Sequence, residues 1–412
     1  MKSKKHDHNT AIPPQQTLPV LSPSSYLTLF SSFLFRLPSS FSLGYYEATY
    51  IVPPPMPELP SFEPAEVSFT PSPEGLKEDD PIGSSSSSAV ETESSSESSL
   101  ESFDSHVEKV MKGYNDCVTL FNKLGYFHFF ETGEMGIVVE GKEYPFPSRD
   151  SILKELKENK ELYETKMEQG FTKLQITPLF MPIATLQNTL KEQIVKHHTQ
   201  GTLIEEGDPK KPFPLNPDDP LYVWDQWAKG EESGTTIYFP KQFDKTNHGG
   251  YTKNAMIQSY DTDPGTAPAS PFSILLLQEN DMFPATKEEA QKNEQGGRIP
   301  LENKRSPNEY LQVFTNTEKD PMKNPYAGES GLTIEEELTL VLTRLHNKQG
   351  LPHIYENNHA TWLTGNYDTS GGGVAYARAY RDYKQFNVSG NDPDRRNGRS
   401  GVVAAVGVGK RG

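Results

Sequence analysis

A stretch that cannot build a core divides this chain. Between Glu58 and His106, with Glu108 added, thirteen side chains are acidic and one, Lys77, is basic. Prolines recur through Pro53–Pro73, as in Pro53-Pro54-Pro55-Met56-Pro57, and Ser84–Ser88 is unbroken serine. Proline resists helix and central strand and favours extended, polyproline-like backbone. A tract of serine and acid buries too little apolar surface to offset chain entropy. Residues 52–103 are therefore expected to form a solvated acidic linker, and 1–103 as a whole a disordered tail. The apolar fraction of 34% fits a chain that is only partly folded, since a fully folded one runs at ~45–50% with glycine counted.

The same stretch explains the charge. Of the net −16, −12 lies there, which leaves about −4 on the rest. A protein that coats nucleic acid needs a concentrated basic surface, so that class is excluded. Earlier still, Lys2, Lys4 and Lys5 precede an apolar run at Tyr26–Phe35. The outline is that of a secretory signal, but Arg36 follows at once and no A-x-A-like cleavage site stands behind it. The run is also short of the ~20 residues a spanning helix needs. No signal peptide and no membrane span are assigned, and the compartment stays open between cytoplasm and cell surface. A single cysteine, Cys117, rules out an internal disulfide, a Cys-based zinc cluster and paired-thiol chemistry.

Order is expected from about Asp104. Val107, Val110, Met111, Tyr114, Val118, Phe121 and Leu124 recur at helical spacing before Gly125. Phe127–Phe130 and Gly136–Val139 read as short strands with a turn at Val139–Lys142, and one helix is expected from Asp150 to Gly170. Together these make a helix-and-hairpin region, 104–170. Phe171–Ile176 reads as the opening strand of a second region, 171–412. Thr185 is expected to cap the next helix, which ends at His197-His198. Adjacent residues do not share a helix face, so that pair reads as a cationic contact with the helix C-terminus rather than a metal site. Thr235–Phe239 and the apolar run Phe272–Leu277 follow as strands. Three helix starts carry capping signatures: Thr286…Glu289, Ser306-Pro307-Asn308-Glu309 and Thr333…Glu336. The last opens a strong helix expected to stop at Gly350.

The C-terminal fifty residues have a different texture. From Thr361 to Gly412 there are ten glycines, with eight basic and four acidic residues. Strands are expected at Ala360–Leu363, Val374–Tyr380, Gln385–Val388 and Gly401–Val408, joined by loops of Tyr, Asn, Asp, Ser, Gly and Arg. That palette is a paratope's: Tyr and Arg supply contact area, while Ser, Gly and Asn supply adaptable hydrogen bonds. It is also ordinary turn chemistry. Alternation sends Val374, Tyr376, Arg378 and Tyr380 to one face and the intervening alanines to the other. The expected ligand-binding set is Tyr376, Arg378, Tyr380, Asp382, Tyr383, Phe386, Asn387, Ser389, Asn391, Asp394, Arg395, Arg396, Asn397 and Arg399. Tyr376, Arg378, Tyr380, Tyr383 and Phe386 are expected to form one exposed patch.

From about Met111 to Val408 the chain resembles variable proteins of diversity-generating retroelements. The resemblance rests on Phe171–Pro178, Asn216–Trp224, Pro325–Thr333, Trp362–Tyr367 and Gly401–Val406. It implies a C-type-lectin-like fold with a small antiparallel sheet, an α+β class, and first and last strands (Phe171–Ile176 and Val402–Val408) that pair. It implies that 361–412 is a variable region, rewritten through mutagenic reverse transcription at adenines, whose product is a ligand-binding face. The ligand would be a protein or a glycan. Where that group reads Gly-Val-Arg before Ala-Ala-Val, this chain has Val403, so no role for that arginine carries over.

Motifs for other chemistry are absent from the sequence: there is no G-x-x-x-x-G-K-[ST], G-x-G-x-x-G, H-E-x-x-H or G-x-S-x-G. Gly371-Gly372-Gly373 precedes a strand rather than a helix N-terminus and makes a poor phosphate cradle. His346-Asn347…His353…Asn357-Asn358-His359 faintly resembles a metal-dependent nuclease set but lacks its frame. Asp392 and Asp394 could attract calcium, opposed by Arg395 and Arg396. The expectation is a non-enzymatic binding protein without cofactor or metal. A fixed-specificity glycan or cell-wall binding lectin-like protein, and a metal-dependent hydrolase or nuclease, are the alternatives.

Overall fold

The computed structural model of the chain describes residues 102–205, 208–278, 284–318, 320, 323–349, 360–380 and 382–411. The expected tail and linker up to Glu101, the apolar run Tyr26–Phe35, and His353 to His359 lie outside them. The first helix, α1 (Phe103–Leu124), starts where Ser102 accepts a hydrogen bond from Ser105 N at 3.3 Å. Val107, Val110, Met111 and Phe121 of the expected stripe are buried, joined by Leu120, while Tyr114, Val118 and Leu124 are half-buried. A three-stranded antiparallel sheet follows: β1 (His128–Phe129), β2 (Met135–Val139) and β3 (Lys142–Pro145). Val139 pairs with Lys142 across Glu140 and Gly141, both with positive φ, as a two-residue type I′ hairpin requires.

The helix expected from Asp150 to Gly170 is two helices, α2 (Arg149–Glu158) and α3 (Lys160–Glu168). Asn159 breaks it. Its amide side chain donates to Glu155 Oε1 at 2.8 Å, and its backbone leaves helical geometry at φ −116°, ψ 36°. Asparagine competes with the helix in this way because its side chain offers the backbone local alternatives.

The remaining chain builds two larger sheets. In order it runs β4 (Phe171–Thr177), α4 (Ile183–Thr199), the pair β5 (Ile204–Glu205) and β6 (Asp208–Pro212), β7 (Leu221–Val223), α5 (Asp225–Ser233) and β8 (Thr236–Tyr238). Next come α6 (Lys253–Thr262), β9 (Ser273–Gln278), α7 (Lys287–Lys292), α8 (Pro307–Phe314), β10 (Glu329–Gly331) and α9 (Ile334–His346). The end is β11 (Ala360–Asp368), β12 (Gly373–Tyr380), β13 (Gln385–Asn391), β14 (Ser400–Gly401) and β15 (Ala404–Gly407). The class is mixed α+β with mainly antiparallel sheets. One is four-stranded, β10-β15-β9-β4; the other has the order β14-β11-β12-β13-β7, with β8 also on β11.

Three expectations are corrected here. Phe171–Ile176 and the last strand share a sheet but do not pair, because β9 lies between them and bonds both. The single strand expected at Gly401–Val408 is two: β14 runs parallel to β11, then Val402-Val403 cross to the other sheet, where β15 continues. The helix expected to be capped by Thr185 starts earlier, at Ile183, whose N–H donates to Glu231 Oε2 at 2.9 Å. The boxes at Ser306 and Thr333 close as full capping boxes. At Thr286 only half the box forms, since Glu289 Oε2 accepts from Ala285 N instead.

The core is unusual in its charges. Glu335, Glu336 and Glu337 open α9 and all three are buried. Glu335 accepts from Lys253 Nζ at 2.7 Å and from the Tyr238 hydroxyl at 2.6 Å. Glu231 binds the same ammonium, and burial beside the two acids raises the Tyr238 hydroxyl pKa well above its usual value. Glu336 receives Arg411 through Nε at 2.9 Å. Glu329, on β10, takes Lys166 Nζ at 2.7 Å and Arg298 Nη2 at 2.7 Å. Burial lowers the Lys166 pKa, against the pull of Glu329. Acids in the first turn suit the helix dipole, but a buried charge persists only with a partner this close.

Candidate functional site

β12 sits between β11 and β13, so both of its backbone edges are bonded. Its inward side chains, Ala375, Ala377 and Ala379, are buried, as the alternation predicts. On the outer side Trp362 of β11 stands beside Tyr376 and Ser389, and the next row is Arg378, Asn387 and Tyr222. Directly paired residues share a face, so four strands contribute to one surface.

The rings on this surface form a ladder. Trp362 is buried under α8 in a cluster with Tyr310, Leu301 and Val402, and meets Tyr376 edge-on at 5.6 Å. The Arg378 guanidinium lies 3.2 Å from the centroid of Tyr380 and 5.5 Å from that of Tyr376. Tyr380 in turn meets Tyr383 at 4.9 Å in a T-shaped contact. Arg378 makes no ion pair with a carboxylate among the described residues, and its Nε has no hydrogen-bond acceptor. Burial lowers its pKa, with the Tyr376 hydroxyl acting the other way. Guanidinium still stays cationic at neutral pH. Across the strand Asn387 Oδ1 is also without a hydrogen-bond partner among the described residues.

Tyr376, Arg378 and Tyr380 are half-buried, Asp382 is exposed, and Tyr383 is 65% exposed. Asn387, Ser389, Asn391 and Asn397 are half-buried. One member of the expected patch, and one residue expected on the same face of the strand, turn out otherwise. Phe386 is 0% exposed, because it pairs with Ala379 and Leu221 on the inward side. Val374 is sealed by Ile237 and Tyr367. The charged remainder of the expected set is also divided. Arg395 donates to Asn391 Oδ1 at 3.2 Å, near enough to Arg378 for the two cations to repel. Asp394 instead accepts from Asn308 at 2.6 Å, and Arg396 Nε donates to Glu309 at 3.0 Å, so both are tied to the start of α8. Arg399 is exposed and engaged elsewhere. Tyr222, 40% exposed, joins the face from β7, a residue the sequence reading missed. The alternation in Leu221-Tyr222-Val223 carried the signal, but a three-residue strand is too short to weigh by pattern alone.

Elsewhere, His197 is buried and bonded through Nδ1 to Thr202 Oγ1 at 2.9 Å. Burial, then Lys123 and Lys196, lower its pKa, so the environment favours the neutral ring over the helix-end cation expected. Asp392 Oδ1 accepts from Asp394 N at 2.8 Å. Among the described residues no group of three His, Cys, Asp or Glu side chains could hold a metal ion, and no helix is long and apolar enough to cross a membrane. Aromatic faces, one cation and orphaned amide and guanidinium groups can recognise a surface by contact area and hydrogen bonds. The chain matches no family model, no curated protein and no solved structure.

Proposed function

We propose that this chain is a non-enzymatic ligand-binding protein whose paratope is the outer face of β12 and β13. On this reading 361–412 is the variable region of a diversity-generating retroelement protein, carried on a C-type-lectin-like scaffold. The observation that carries it is Arg378, held between Tyr376 and Tyr380 and left without a carboxylate among the described residues. Tyrosine and arginine dominate interface hot spots because they bring large contact area at modest entropy cost. A cation prepositioned by rings, rather than neutralised by an acid, keeps its charge for a partner. The scaffold reading draws support from the strand chemistry: outward side chains vary in character, while the inward positions of β12 are all alanine.

The test is direct. Ligands are selected for the parent from a glycan array and a displayed peptide library, and then Arg378→Ala and Tyr380→Ala are assayed. Each is expected to lose ~1–3 kcal/mol of binding with folding intact; parental affinity in both variants refutes the paratope. The retroelement part is tested in the genome. It requires a nearby reverse-transcriptase gene and a near-copy of the region's coding bases that differs at adenines.

A further inference from the structure

A cleft of about 580 Å³ opens where β10, the Gly365 bulge of β11 and the α2–α3 break come together. That volume lies within the ~300–1,000 Å³ typical of small-molecule sites. Leu162, Phe239 and Phe314 give it apolar walls, and Lys241, Glu329 and Arg411 contribute charge. None of these belongs to the tyrosine face.

Three observations set the sign of what it would hold. First, among the described residues Glu329 is the one carboxylate of a buried set with two cations, Lys166 and Arg298, so the set carries one net positive charge behind the wall. The other partners of those cations are neutral: the Pro325 carbonyl and the Gln278 side chain. Second, Arg411 commits Nε and Nη2 to Glu336 and the Gly331 carbonyl, while its buried Nη1 has no acceptor among the described residues. Third, Lys241 is exposed and forms no ion pair among the described residues. The rim acid Glu155, bonded to the neutral Asn159 amide at 2.8 Å, keeps its charge and offsets Lys241, so the positive charge of the buried set remains as the excess. Charge in a low-dielectric setting acts at longer range, so this excess favours an anion in the cleft. Phe239 adds a sign of constraint. It holds φ 53°, a left-handed value unusual for an aromatic, with its N–H on Gly365 O at 2.9 Å, and such strain collects at ligand sites.

We propose that this cleft is a second binding site, for a small organic anion with an apolar body. A carboxylate head sits toward Arg411 and Lys241, and a hydrocarbon tail lies against Leu162, Phe239 and Phe314. Calorimetric titration of the full chain with octanoate and with octanol tests it. Octanoate is expected to bind saturably and in clear preference to octanol. Lys241→Ala weakens octanoate by roughly threefold to fivefold, as for an exposed ion pair. Leu162→Trp fills the cleft and abolishes binding, and Lys241→Glu erases the preference over octanol even if Leu162→Trp proves too unstable to assay. Tyr380→Ala leaves octanoate binding as it was. The proposal is overturned by no saturable binding, by equal binding of octanol, by a preference that survives Lys241→Glu, by binding that survives Leu162→Trp in a folded protein, or by loss in Tyr380→Ala.

Discussion

At the N-terminus of α9, among the described residues, no cation stands without a carboxylate: Lys253 has Glu231 and Glu335, and Arg411 has Glu336. On the outer face of β12, Arg378 has two tyrosine rings and no carboxylate among the described residues. Both places restrain a basic side chain, but by different means. Inside, an ion pair offsets part of the cost of removing charge from water and links the start of α9 to Lys253 of α6 and Glu231 of α5. On the face, ring contacts restrain the guanidinium without cancelling its charge. The difference teaches where change is tolerated. Removing an inner partner strands a charge in the core, whereas removing an outer one exposes it to water.

The largest effect that tests this contrast is Glu329→Ala. It strands both Lys166 and Arg298, and is expected to cost about 4–5 kcal/mol, the upper part of the range for a broken buried pair. Denaturant unfolding measures it, and a loss below about 1 kcal/mol means the interior charges are not held as described. Next comes Phe386→Ala, expected to cost about 3–4 kcal/mol as a buried aromatic truncation. Thermal melts set it against Tyr383→Ala, only three residues away on the exposed side.

Smaller again is a pH effect at the joined ends of α1, α4 and α9, where cations gather. Burial, followed by Lys123, lowers the pKa of both His197 and His346, with Asp116 opposing this at His346. Each ring therefore holds fewer protons folded than unfolded. Their stabilisation is present above the unfolded value of about 6.5 and is lost as pH falls through the folded values. Melting temperature is expected to drop between neutral pH and pH about 5, and His346→Asn should flatten part of that slope. The smallest effects belong to the rim and tip: Arg395→Ala and Tyr383→Ala are expected to change stability by no more than about 0.5 kcal/mol. A large loss in either would show that the face is part of the core.

Local chemistry made several elements legible in the sequence. Ser306 and Thr333 announce their helices because a capping box is complete within four residues. The alternation through Val374–Tyr380 placed the alanines inward because a strand has a fixed period of two. What stayed hidden depends on distant partners. Phe386 turns inward because the β12–β13 register sets it opposite Ala379, and Leu221 of β7, far earlier in the chain, continues that inward row. The cap of α4 comes from Glu231, and Glu329 meets Lys166 and Arg298 from separate elements, so no local spacing could reveal them. β11 runs on to Asp368, past the expected end at Leu363, because a register shift after Leu363 lets Gly365 approach Leu332 closely. A Cβ there would come within 2.8 Å of the Leu332 carbonyl.

The alanine floor of β12 has a further consequence, for insertions and deletions. A substitution at Tyr376, Arg378 or Tyr380 alters ring contacts on the outer face but leaves the hydrogen-bonded frame on both sides in place. A single inserted or deleted residue within Gly373–Tyr380 would turn the strand over, driving an arginine and two tyrosines into space cut for methyl groups. The lineage of this strand should therefore hold a constant length, and on the proposed reading its replacements gather at the outward positions.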